Sequence, residues 1–177
     1  VMLQGLLHLN CGCRARALLL MSLFVDRGCW AVHLTLLLDA RPYLTQLLQR
    51  DAQASTEVAG SLLLIWAKIL SVEAGKEGLA VKAIYKSFFH LIFHMDGLSE
   101  FHRALSCACL AVACHGRAAI QLSCLELGLF QLAADVFKHG KHTALRWMLA
   151  LLVAEACHDN AKCAAAALQG RLAEALV

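Results

Sequence analysis

The chain has 177 residues, of which 60% are hydrophobic and 16% charged, and its formal net charge is +3. The longest stretch without charged residues or histidine, residues 104–114, is well short of the roughly 20 apolar residues that a membrane-spanning helix needs. Because the basic residues are also scattered, the composition disfavours membrane insertion and nucleic-acid binding and indicates helices that bury apolar surface against neighbours.

Apolar residues recur at intervals of three and four along the chain, and this spacing predicts helices. Short turns rich in glycine or polar residues separate them, and the only proline is Pro42. The polar stretch at 50–56 is expected to be a surface loop. The expected helices lie near residues 2–9, 14–25, 29–38, 43–50, 57–72, 76–95, 99–114, 117–126, 128–138, 142–157 and 161–175.

A faint internal repeat connects these helices. Ala113-Cys114-His115 recurs 43 residues later as Ala156-Cys157-His158, each time at the end of an apolar helix. A period of about 40–47 residues with two or three helices per unit is typical of armadillo and HEAT repeats. We therefore expect an all-α fold, a right-handed α-solenoid of armadillo/HEAT-type repeats.

The domain organisation follows from this period. Residues 1–177 are expected to form a single α-solenoid segment of about four repeats. The chain starts at a valine rather than a methionine and ends in an apolar run. We therefore expect it to be an excerpt of a longer chain.

The nine cysteines do not indicate a disulfide framework or a zinc site, since their number is odd and their spacing irregular. One residue separates Cys11 from Cys13 and Cys107 from Cys109. Residues i and i+2 of a helix point about 200° apart, so neither pair can share a zinc ion. Free thiols that pack as small apolar groups in a reducing cytosol are the expectation.

The sequence offers few candidates for chemistry. His90 and His94 are four residues apart on a predicted helix, but their neighbours are apolar, which favours packing histidines over metal ligands. Cys114 and Cys157 each precede a histidine, yet adjacent helical residues do not face each other as a catalytic pair must. We expect a protein that is not an enzyme and has no cofactor or metal site.

A possible partner-binding surface lies at the repeated turns. Lys76, Arg117 and Lys162 follow equivalent predicted helix ends at steps of 41 and 45 residues. Stacking of repeats would place them on one basic ridge that suits an acidic partner. The alternative is that these are ordinary solvated turn charges.

Several segments resemble the armadillo region of the Raptor family, called Kog in fungi. The resemblance is strongest over residues 14–70 and continues collinearly to about residue 157. Cys29 stands where the family has proline, so the chain resembles a divergent member. The segments that carry the resemblance are Arg14-Ala15-Arg16-Ala17-Leu18, Gly28-Cys29-Trp30-Ala31-Val32, Pro42-Tyr43, Leu47-Leu48-Gln49 and Ile65-Trp66-Ala67-Lys68-Ile69-Leu70.

The resemblance implies a non-catalytic scaffold segment of a TOR complex 1 subunit. Such a subunit binds the helical-repeat region of the TOR kinase and, in animals, Rag-type small GTPases. It implies a cytoplasmic location with recruitment to the lysosome or vacuole surface through partners. A generic armadillo/HEAT adaptor in transport or trafficking stays open as the alternative.

Overall fold

The computed structural model describes residues 11–50, 55–72, 79–169 and 172. Over these residues every regular element is an α-helix, as the apolar spacing predicts. The helices are α1 Cys11–Val25, α2 Cys29–Leu37, α3 Arg41–Arg50, α4 Thr56–Val72, α5 Leu79–Phe93, α6 Glu100–Cys114, α7 Ala118–Glu126, α8 Leu129–His139, α9 Thr143–Cys157 and α10 Ala161–Gln169.

Long helices recur at regular steps along the chain. The helices α4, α6 and α9 begin at residues 56, 100 and 143, at steps of 44 and 43 residues. After α1 come the shorter helices α2 and α3, and after α6 come α7 and α8, each of 9 to 11 residues. The helix order therefore has the period of an armadillo/HEAT repeat.

The predicted boundaries agree with the helices to within a few residues. The helix predicted at 43–50 begins earlier, at Arg41, because proline fits the first turn of a helix and Pro42 does not end it. The helix predicted at 76–95 is described from Leu79 to Phe93. The helix predicted near 2–9, most of the predicted loop and the end of the helix predicted at 161–175 lie outside the described residues.

Two turns with the same backbone conformation end two of the long helices. Gly116 follows α6 with φ 64°, and Asp159 follows α9 with φ 53°, so both adopt the left-handed conformation. Glycine does so without strain, and aspartate is among the few other residues that tolerate it. The turn α6–α7 and the turn α9–α10 are thus structurally equivalent, with a separation of 43 residues.

The chain divides into two compact units, residues 1–87 with 95–98 and residues 88–94 with 99–177. In the first unit α1 packs on α4. Leu18, Leu62 and Trp66 are fully buried there, and each such side chain contributes about 1.5–3 kcal/mol through its removal from water. At the surface, Lys68 Nζ lies 2.7 Å from Asp26 Oδ1 and joins α4 to the end of α1.

In the second unit α9 packs along α6. The buried side chains are apolar or small, including those of Leu110, Phe130 and Leu149. The helix α6 also contacts the end of α5 through hydrogen bonds. Ser106 Oγ donates to the carbonyl oxygen of Phe88 at 3.0 Å, and Arg103 Nη1 donates to that of Ile92 at 2.8 Å.

No single helix of the described ranges is long and apolar enough to cross a membrane. The helices α7 and α8 reach that length and composition only as a pair, and the chain bends by 67° between them.

Replacing Trp66 with alanine is expected to lower the free energy of unfolding by about 3–5 kcal/mol, because the indole is fully buried and its loss leaves a cavity. The matched control is Trp147→Ala, since 68% of Trp147 is exposed. There the loss should stay within about 0.5 kcal/mol. Urea denaturation followed by circular dichroism measures both values. Equal losses would contradict the burial described for α4.

Candidate functional site

Packing of α9 on α6 brings two equivalent turns side by side in the second unit. His115 lies in the turn after α6 and His158 in the turn after α9, and their ring centroids are 6.0 Å apart. We call residues 115–117 and 158–162 the turn surface. Polar side chains from two consecutive repeats meet there.

The side chain of Gln121 on α7 forms hydrogen bonds with the end of α9 and with Asn160 in the turn that follows it. This side chain is buried, with only 2% exposed, and its Nε2 donates to the carbonyl oxygens of Glu155 at 2.9 Å and His158 at 3.0 Å. The last carbonyls of a helix lack intrahelical partners, so Gln121 supplies donors to the end of α9. Asn160 Nδ2 donates to Gln121 Oε1 at 3.0 Å and completes the amide's bonding.

Asn160 also begins α10. Its Oδ1 accepts a hydrogen bond from the backbone N–H of Cys163 at 3.3 Å, the arrangement of a helix N-cap. Sequence reasoning missed both amides. The available signal was a polar glutamine within the apolar helical run Ile120-Gln121-Leu122, but its partners lie 34 to 39 residues further along the chain.

Imidazole and carboxylate groups face solvent above this network. His115 Nδ1 lies 2.9 Å from Glu155 Oε2, and His158 Nδ1 lies 3.2 Å from Asp159 Oδ2. The first pair joins the turn after α6 to α9. These groups offer hydrogen-bond donors and acceptors at fixed positions, which suits recognition of a polar partner.

The three residues of the predicted basic ridge have different environments. Lys76 lies outside the described residues. Arg117 is half-buried, and its Nη1 donates to the carbonyl oxygens of Val112 at 3.1 Å and Ala113 at 3.3 Å, so it caps the end of α6. Lys162 is exposed on the first turn of α10.

Arg117 and Lys162 are not at equivalent positions when the two turns are aligned by their neighbouring helices. This alignment is the repeat register. It aligns Arg117 with Asn160, since each directly precedes a short helix, and Lys162 with Ala119. Arg117 and Lys162 therefore occupy different positions of the repeat. Binding of an acidic partner by Lys76, Arg117 and Lys162 stays a prediction.

The thiols of Cys114, Cys124 and Cys163 near the turn surface are buried, and that of Cys157 is half-buried. Cys114 Sγ lies 3.9 Å from Cys124 Sγ, and Cys163 Sγ donates to the carbonyl oxygen of Gln121 at 3.6 Å. The hydrogen bond with Cys124 and burial both raise the pKa of Cys114. Burial also raises the pKa of Cys157 and of Cys163. Protonated thiols are poor nucleophiles and poor metal ligands.

The histidines that the sequence offered as candidates for catalysis or metal binding have carboxylate or aromatic neighbours. His115 and His158 contact carboxylates, although each follows a cysteine in the chain. His90 and His94 have ring centroids 5.7 Å apart. Among the described residues no three His, Cys, Asp or Glu side chains form a group that could hold a metal ion.

Replacing Gln121 with leucine is expected to lower the free energy of unfolding by about 1–3 kcal/mol, because it removes the buried amide that donates to the carbonyls of Glu155 and His158. Thermal and urea denaturation measure the change. Gln131→Leu on the exposed face of α8 is the control, with a change within about 0.5 kcal/mol. If the Gln121→Leu variant has the same free energy of unfolding as the wild type, these hydrogen bonds contribute nothing to stability.

Thiol alkylation is expected to separate the cysteines by burial. At pH 8, Cys109 should react with iodoacetamide at least about tenfold more slowly than the exposed Cys13 and Cys29, because burial raises the pKa of Cys109 to about 12 and only the thiolate reacts. Mass spectrometry of tryptic peptides over time measures each rate, and urea-unfolded chain is the control. Equal rates in the folded chain would contradict this burial.

Comparison with known proteins finds relatives of one kind. The chain is 38% identical over 120 residues to the target of rapamycin complex 1 subunit mip1 of Schizosaccharomyces pombe, covering 64% of this chain and 9% of that protein. It is 34% identical over 116 residues to regulatory-associated protein of TOR 1 of Arabidopsis thaliana, with coverages of 66% and 8%. It is 29% identical over 136 residues to the protein raptor homolog of Dictyostelium discoideum, with coverages of 77% and 9%.

The chain thus spans less than a tenth of the length of these curated relatives. No family model matches it. Among solved structures, Chaetomium thermophilum Raptor has a TM-score of 0.85 at 24% sequence identity. The match covers 98% of this chain and 16% of that structure's chain. A designed armadillo repeat protein has a TM-score of 0.59 at 14% identity, with coverages of 98% and 88%.

These structural likenesses confirm the predicted fold class, an α-solenoid of armadillo/HEAT-type repeats. The aligned relatives confirm the predicted resemblance to the Raptor family. The chain is thus similar to proteins of the Raptor family, and its fold is similar to that of Chaetomium thermophilum Raptor.

Proposed function

We propose that this chain is a non-catalytic scaffold segment of a TOR complex 1 subunit. The observation that carries the proposal is the 38% identity over 120 residues to a protein named as a subunit of that complex. A scaffold role means that the chain holds other proteins through its surface and performs no reaction. The arrangement of its side chains supports such a role.

The turn surface supports binding rather than chemistry. The side-chain amides of Gln121 and Asn160 form hydrogen bonds with the end of α9, with each other and with the start of α10, so the turns are held in one conformation. His115 and His158 remain exposed above them. A surface that is already ordered loses little conformational entropy on binding, which favours affinity.

The partners proposed are the helical-repeat region of the TOR kinase and Rag-type small GTPases. The family resemblance supports both, and the exposed Lys162 offers the kind of charge that a partner contacts at the rim of an interface. We further propose a cytoplasmic location, with recruitment to the lysosome or vacuole surface through these partners.

We propose that residues 1–177 form one solenoid segment of about four repeats. Long helices that begin 44 and 43 residues apart support the repeat length, and four long helices lie within the described residues. A generic armadillo/HEAT adaptor in transport or trafficking would have the same architecture. The partner list distinguishes the two functions.

Affinity purification of the full-length protein at physiological salt, followed by mass spectrometry, tests the function. Recovery of a TOR kinase is the expected result. Recovery of transport or trafficking factors without the kinase would overturn the proposal and leave the fold untouched.

Charge reversal tests the predicted ridge in the same assay. The double variant Lys76→Glu with Lys162→Glu is expected to lower recovery of the kinase by about fivefold, since exposed ion pairs contribute at most about 1 kcal/mol. Lys138→Glu, an exposed lysine on α8, is the matched control and should leave recovery unchanged. Arg117 is unsuitable for this test because it caps α6. Unchanged recovery in the double variant would remove the ridge from the interface.

A further inference from the structure

The outward face of α2 carries an apolar stripe. Trp30, Leu34 and Leu37 follow one another at four- and three-residue intervals, so they lie along one side of the helix. Their exposed fractions are 58%, 42% and 82%. Large apolar side chains grouped on a surface mark sites of interaction, whereas single ones do not. We call these three residues the α2 stripe.

The equivalent helices show that the repeat does not require this stripe. The helices α2 and α7 each have nine residues, nine residues of α10 are described up to residue 169, and each of the three helices follows a long helix and a short turn. The third, fourth and seventh residues are buried in both α2 and α7, which identifies the side that packs inward. The stripe occupies the second, sixth and ninth positions.

Small or polar residues stand at those positions elsewhere. In α7 they are Ala119, Ser123 and Glu126, and in α10 they are Lys162, Ala166 and Gln169. Packing of this short helix therefore proceeds without apolar side chains at these positions. Folding of the repeat does not account for a tryptophan and two leucines there.

The first unit also fixes the geometry of the stripe. The rings of Phe24 and Trp30 meet edge to face, with centroids 5.4 Å apart and planes at 88°. This contact orients the indole and reduces the entropy that it loses on binding a partner. Leu20 lies one turn before Phe24 on α1 and is also exposed, so the apolar surface continues from α2 onto α1.

The segment of sequence that contains the stripe is basic. Residues 11–50 contain five arginines and two aspartates and no glutamate. Arg16 and Arg27 are exposed, and one of the two aspartates, Asp26, is paired with Lys68 at 2.7 Å. A partner with carboxylates beside its apolar contact would match this charge.

We propose that the α2 stripe is the docking site for an acidic amphipathic helix of a partner protein. Such a helix presents apolar residues at three- and four-residue intervals to Trp30, Leu34 and Leu37 and places Asp or Glu toward Arg27. A helical partner fits because α2 has its backbone donors and acceptors paired internally, which leaves side-chain packing as the mode of contact. The proposal stands independently of the function proposed above.

Site-specific photo-crosslinking in the full-length protein tests the proposal. A benzophenone amino acid replaces Leu34, and the matched control carries it in place of Ser123, the equivalent position of α7. We expect position 34 to crosslink to a segment of another protein with helical apolar spacing and more Asp and Glu than Lys and Arg. A crosslink to a second copy of this chain, to its own polypeptide, or to a basic or extended segment would overturn the proposal. So would a yield no higher than that at position 123.

Binding of the captured segment as a labelled synthetic peptide gives the second measurement. The variant Leu34→Glu with Leu37→Glu should weaken its affinity for the full-length protein by more than about tenfold in fluorescence anisotropy, because it removes apolar contact and adds like charge. Arg27→Glu should weaken binding and reduce its dependence on salt. Ser123→Glu should change neither. Circular dichroism checks that the variants fold, and wild-type affinity in the double variant would exclude the α2 stripe as the site.

Discussion

The packing of a long helix on the equivalent helix of the previous repeat is the interaction on which the second unit depends. Leu149 and Leu152 of α9 are fully buried, while α6 contributes small buried residues such as Ala104 and Ala111. Small side chains on one helix let the larger side chains of its neighbour approach closely. This packing places the two turns together and brings the carbonyls of α9 within reach of Gln121. The ordered turn surface is thus a consequence of helix packing rather than of the turn sequences alone.

In the short helices, the buried positions serve packing, whereas the outward positions can vary without affecting it. The third, fourth and seventh residues of α2 and α7 are buried, and they are apolar except for Thr35 and Gln121. The outward positions are not required to be apolar. The second position, for example, is Trp30 in α2 and Lys162 in α10. Recognition of partners can therefore differ from repeat to repeat without any change in the packing. This division suits a scaffold that contacts several proteins along one chain.

The helices and their period were predictable from sequence because both depend on local spacing. Apolar intervals of three and four, with turns such as His115-Gly116, place most helix ends within a few residues of those observed. The site was less predictable, since Gln121 finds its partners on helices formed 34 to 39 residues later. The positions of basic residues in the turns predicted that Arg117 and Lys162 are equivalent. The observed helix boundaries instead make Arg117 equivalent to Asn160. Only the packed structure reveals that Arg117 caps a helix and that the α2 stripe faces solvent.

The buried Gln121 amide has a consequence for how this part of the chain tolerates changes of length. An extra residue within α9 would rotate everything after it by about 100° and shift it by about 1.5 Å. The carbonyls of Glu155 and His158 would then point away from the amide that they now share. Insertions and deletions in α9 are therefore penalised even where the added side chain is harmless. Related proteins should vary in length between the helices and keep the count from Thr143 to Asn160 constant.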